Sequence, residues 1–81
     1  MRAPPLRSRA FTRFKRTLAI RVRHLRVERG WSTREFAKRV GVGVATVRRL
    51  EHALGNPSLA VLVGVAKAAR VPLELLLETR K

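Results

Sequence analysis

The side chains in this chain whose type and placement could do chemistry are its arginines and lysines. The chemistry they offer is the binding of a polyanion. Residues 1–50 hold 15 Lys or Arg against 2 Glu, whereas residues 51–81 hold 4 against 3. One end of the molecule is therefore strongly cationic and the other almost neutral. Crowding of this kind costs stability in the free protein, and a polyanion relieves it. DNA is the obvious polyanion. Solubility alone would explain the net charge of +14 but not its uneven placement. An anionic membrane surface stays open for the N-terminal segment only.

Other chemistries lack the residues they need. There is no Asp and no Cys, so thiolate ligands, disulfides and paired acids placed for acid–base work are missing. Two His without Cys companions make no metal site. Gly41-Val42-Gly43 is a turn, too short for a nucleotide-binding fingerprint. The expectation is a protein that is not an enzyme and needs no metal, cofactor or small-molecule ligand. The longest apolar run, Leu59 to Ala66, is far below membrane-spanning length, and the start lacks the apolar segment of a secretory signal. The Arg-rich, acid-free start also looks like an organelle transit peptide, but Pro4 and Pro5 interrupt an amphipathic helix there.

The element that must position these charges is Ser32 to Glu51. Ser32 and Glu35 fit a capping box at a helix start. Phe36, Ala37 and Val40 share one face, and Gly41 can take the left-handed conformation that ends the helix. Val42 and Gly43 turn the chain. A second short helix follows, with Val47 and Leu50 facing inward. Two short helices joined this tightly cross steeply, as in a helix-turn-helix.

The rest of the chain supplies the support. Residues 1–17 read as a basic, partly disordered arm carrying Arg2, Arg7, Arg9, Arg13, Lys15 and Arg16. Within it, Ala10 to Thr17 could become helical, and Phe11 and Phe14 could dock on the domain or on a partner. Residues 18–81 form the folded domain. Leu18, Val22 and Leu25 mark helix 1, which Gly30 stops, while Arg21, Arg23, Arg26 and Arg29 crowd its remaining surface. Trp31 is placed to staple against Phe36. Ser58 caps a fourth helix that buries Leu59, Leu62, Val65, Ala66 and Ala69. Gly64 inside it points to close packing. Pro72 opens a fifth helix with Leu73, Leu76 and Leu77 inward. Val61 and Leu75 are surplus to a small core and suggest a self-association face on the neutral half.

The five-helix layout resembles the Cro-repressor-type (XRE-like) helix-turn-helix family of bacterial and phage transcription regulators. The resemblance runs from about Leu18 to Glu78. It rests on Leu18…Val22…Leu25, Arg-Gly-Trp-Ser at 29–32, Glu35-Phe36-Ala37, Val40-Gly41-Val42, Thr46-Val47, Arg49-Leu50-Glu51, Asn56-Pro57-Ser58-Leu59 and Val71-Pro72-Leu73. It implies an all-α, lambda-repressor-like domain whose third helix, about Val44 to His52, enters the major groove. Val44, Ala45, Arg48 and Arg49 are then the base-reading candidates. Arg49 leads them, because Arg can grip O6 and N7 of guanine at two points. Val44 and Ala45 can only touch a thymine methyl.

Thr33, Arg34, Gly43, His52 and Asn56 are the phosphate candidates, and Arg7, Arg9, Arg13 and Arg16 extend them into the arm. Arg26 and Glu51 match an ion pair of the family between helix 1 and the end of helix 3. The sequence departs from the family at Gly43, where Ser or Thr usually caps, at Thr33, where Gln is common, and at apolar Val44 and Ala45. Specificity should therefore lean on Arg49, methyl contacts and DNA shape. The implied function is a cytoplasmic bacterial or phage homodimer, a small repressor or restriction–modification controller, on a near-palindromic operator in double-stranded DNA. Two other readings stay open: an antitoxin-type protein-interaction module and a nonspecific nucleic-acid binder.

Overall fold

The computed structural model describes residues 9–78. Its order is α1 (Arg9–Glu28), α2 (Thr33–Val40), α3 (Val44–Glu51), α4 (Leu59–Ala69) and α5 (Leu73–Leu77). No strand occurs among the described residues, and no helix there is long and apolar enough to cross a membrane.

Local chemistry sets most of the boundaries. Gly30, at φ 70°, follows α1. Ser32 is extended, and its Oγ accepts the backbone N–H of Glu35 at 3.0 Å. The return half of the capping box is replaced, because the Glu35 carboxylate accepts from Arg39 at 2.9 Å. Gly41 takes φ 91° and donates its N–H to the Ala37 carbonyl, closing α2. Ser58 caps α4 by accepting from Val61 N–H at 3.1 Å.

The core gathers a stripe from every helix: Leu18, Val22 and Leu25, then Phe36 and Ala37, Val47 and Leu50, Leu62, Val65, Ala66 and Ala69, and finally Leu76. Trp31 stacks on Phe36 with ring centroids 5.8 Å apart. Two expected core residues lie elsewhere. Leu59 is 63% exposed and Leu77 is 39% exposed. Leu59 opens α4 one turn before the buried stripe begins at Leu62, and Leu77 ends the short α5.

The first helix starts at Arg9 rather than Leu18, so residues 9–17 are its opening turns. Cations at a helix N-terminus oppose the macrodipole, so contacts beyond the helix must hold these turns. Phe14 packs against the core, and Lys15 Nζ donates to the Gly55 carbonyl at 3.0 Å. Phe14 thus docks on its own domain. Residues 1–8, including Arg2 and Arg7, lie outside the described residues.

Gly64 faces Val40. A Cβ at Gly64 would sit 3.1 Å from both Val40 Cγ1 and the Val40 carbonyl oxygen. Ala is a better helix former by about 1 kcal/mol, but overpacking a rigid carbonyl costs about 1–3 kcal/mol. Gly64→Ala is therefore expected to lose about 1 kcal/mol net, read as a lower denaturation midpoint. A raised midpoint would show that α2 and α4 separate freely.

Candidate nucleic-acid interface

The short α3 is held from beneath and at its end. Val47 and Leu50, three apart, are buried beneath it. At its end, Arg26 of α1 grips Glu51 at two points: Nε donates to Oε2 at 2.7 Å and Nη2 to Oε1 at 3.1 Å. The third donor, Nη1, goes to the Trp31 carbonyl at 3.0 Å. These side chains are only 16% and 7% exposed. One guanidinium thus joins α1, the chain entering α2, and the end of α3.

Two more arginines of α1 act on helix ends rather than on solvent. Arg29 Nη2 donates to the Ala69 carbonyl at 2.6 Å, closing α4. Arg21 Nη1 donates to the carbonyls of Leu75, at 3.1 Å, and of Glu78 beyond α5. Helix C-termini present unpaired carbonyls and negative partial charge, which is what a guanidinium satisfies. Of the four arginines expected to crowd the surface of helix 1, only Arg23 is exposed; the other three are half-buried.

The opposite face of α3 is open. Ala45, Arg48 and Arg49 are exposed, as are His52 at its C-cap and Asn56 in the following loop. Neither Arg48 nor Arg49 has a side-chain hydrogen bond or ion pair among the described residues. Val44 is only half-exposed and packs against the core. Gly43 starts the helix with extended backbone and no side-chain cap.

A groove along this face is lined by Ala45, Thr46, Arg49, Leu54, Asn56, Pro57 and Val61. Thr46 adds a hydroxyl that sequence reasoning passed over, although it sits three residues before Arg49 and so on an adjacent strip of the helix. Val61 lines this groove and packs against the core, whereas Leu75 lines a shallow apolar surface with Pro72 and Leu77.

On the other side of α3, a concavity between α2 and the turn is lined by Arg34, Lys38, Gly43 and Val44. Arg34 and Lys38 are four apart on α2 and both exposed. Lys38 was not singled out by its sequence context; the i, i+4 spacing from Arg34 was the available signal. Thr33 is half-buried beside them. Arg39 is differently employed, pairing with Glu35 and lying 4.5 Å over the Trp31 ring. The cations flanking α3 are thus Arg34 and Lys38 on one side, with Arg48 and Arg49 on the helix itself.

A short braced helix with an open cationic face, preceded by a helix that exposes Arg34 and Lys38 one turn apart, defines a helix-turn-helix DNA-binding domain. A helix-turn-helix family model, HTH_3, matches residues 22–76, and the chain belongs to this family of DNA-binding transcription regulators. Among solved structures it is similar to the hypothetical transcription factor NHTF from Neisseria, with 31% identity and a TM-score of 0.77 over 80% of this chain and 73% of that one. It is also similar to an HTH_3 family transcriptional regulator from Vibrio cholerae, with 26% identity and a TM-score of 0.75. That match covers 80% of this chain and 36% of the Vibrio chain, so the present chain spans little more than a third of that protein. No curated protein matches.

Proposed function

We propose that this protein is a homodimeric repressor or controller that reads a near-palindromic operator with α3 in the major groove. The observation that carries the reading is the division of labour among its arginines. Arg21, Arg26 and Arg29 are spent on holding helices. Arg48 and Arg49 have no hydrogen bond or ion pair within the described residues, on the one helix that Arg26 braces. An interior-facing role would have supplied them with carbonyls or acids.

In this arrangement Arg49 reads a guanine, Arg48 reads a base or holds a phosphate, and Ala45 with the open edge of Val44 meets thymine methyls. Thr33, Arg34, Gly43, His52 and Asn56 line the backbone on either side, and Lys38 joins them. Arg7, Arg9, Arg13 and Arg16 lengthen the electrostatic footprint. Leu75, with Leu77 beside it, forms the dimer face on the nearly neutral half, where two cationic ends need not meet. Two copies then present their α3 helices about 34 Å apart, one duplex turn.

Arg49→Ala tests the assignment. Specific binding should weaken by about 1–3 kcal/mol, with preference relaxed at one base position per half-site. Truncation of residues 1–9 should flatten the salt dependence while leaving preference largely intact. Binding that ignores Arg49→Ala, or preference that vanishes with the first nine residues, would refute the assignment and point to a nonspecific binder.

A further inference from the structure

The loop that follows α3 does more than connect it to α4. Gly55 sits there at φ 68°, and a Cβ built on it would lie 3.0 Å from Arg49 Nη2 and 3.5 Å from Arg49 Nε. The guanidinium therefore lies against the Gly55 backbone. Leu54 N–H donates back to the Arg49 carbonyl at 2.8 Å, drawing the loop over the end of the helix. The other side of Gly55 is tied down from far along the chain. Its carbonyl accepts from Lys15 Nζ at 3.0 Å, across 40 residues of sequence. Lys15 is itself half-buried and lies 5.1 Å over the Phe11 ring. The contact comes from the opening turns of α1, which begin before the region that the family model matches.

We infer that Lys15 and Gly55 are positioning residues for DNA specificity: the Lys15–Gly55 clamp holds the loop as a wall against which the Arg49 side chain is pre-ordered for its base. An arginine free to sample its rotamers must give up that freedom on binding, and one already leaning on a fixed wall gives up less. The left-handed backbone at Gly55 favours glycine, and a side chain there would push the Arg49 guanidinium off the wall. The lysine uses a charge that would otherwise count as one more phosphate contact. This inference rests on Arg49 being a base reader.

The test compares Arg49→Ala, Lys15→Met, Lys15→Arg and Gly55→Ala, all in the full chain. Each is measured against a duplex selected by the wild type and against that duplex substituted at each position, over a salt series. Melting curves check that each variant is folded. Lys15→Met keeps the stem that packs near Phe11 and removes the donor. It should reduce discrimination at the Arg49-dependent base pair by about threefold, against tenfold or more for Arg49→Ala, while leaving the salt slope unchanged. Gly55→Ala, with Lys15 intact, should loosen the same base pair. Lys15→Arg, which can still donate to the carbonyl, should restore discrimination. A Lys15→Met protein that loses about 0.9 from the salt slope with discrimination intact would make Lys15 a phosphate contact and overturn the inference. Unchanged slope and unchanged discrimination would overturn it too. If Arg49→Ala itself leaves discrimination untouched, the base-reading assignment falls and takes the clamp's role with it.

Discussion

Arg26→Ala should lower the unfolding free energy by about 3–5 kcal/mol, because it strands a buried carboxylate. The Glu51 side chain is 7% exposed and receives two of the three donor nitrogens of Arg26, at 2.7 and 3.1 Å. Truncating the arginine leaves that charge without its donors and frees the Trp31 carbonyl as well. A domain of this size is typically stable by only about 4–12 kcal/mol. The variant should therefore lose a large share of its stability and melt well below the parent chain, and its DNA binding should fail as it unfolds. The pair itself contributes far less than its disruption costs, since desolvation offsets most of the attraction. Replacing both residues together by apolar ones of similar volume should recover most of the loss. Chemical denaturation of the single and double variants checks both points. A single-variant cost below about 1 kcal/mol would class the pair with solvated surface bridges.

Phe36→Ala is the other large effect, at about 3–5 kcal/mol, for a different reason. Phe36 is fully buried, the largest side chain of the core, and stacked on Trp31. Its removal forfeits transfer energy and leaves a cavity that surrounding helices cannot fill. It also takes away the partner of the staple that fixes the chain entering α2. Denaturation midpoints at unchanged m-value would measure this. Unlike Arg49→Ala, the variant should keep its base preference in whatever fraction stays folded.

These two residues also show what the sequence could and could not reveal. Phe36 was legible, because a capping serine, a helical apolar spacing and a following glycine all agree about α2. Spacing alone placed Val47 and Leu50 beneath α3, which has no capping side chain, and a serine before an apolar run placed the head of α4. Arg26 with Glu51 came through family resemblance; nothing in a spacing of 25 residues announces a contact. Ala10 to Thr17 read as a segment that could become helical, but what anchors these first turns of α1 was hidden for a related reason. Its opening turns are rich in arginine, and what holds them is Phe14 in the core and Lys15 on a distant carbonyl. The α4 pattern failed at Leu59 because a helix reading Leu-Ala-Val-Leu-Val-Gly-Val-Ala is apolar all round and carries little phase. Gly64 has its reason in Val40, a neighbour that only the packing of α2 on α4 brings near. The carbonyl-capping roles of Arg21 and Arg29 depend on where other helices end, which a one-dimensional reading of charge cannot locate.

Selection of duplexes from a random-sequence DNA pool, followed by competition of the winner against random DNA at physiological salt, addresses the central claim most directly. If α3 reads bases, the pool should converge on one site with two related halves spaced about one helical turn apart. That site should bind at least about 10³-fold more tightly than the random competitor. A pool that stays random after repeated rounds, with every duplex bound equally and released together by salt, would contradict base reading by α3 and leave only a cationic domain on the DNA backbone.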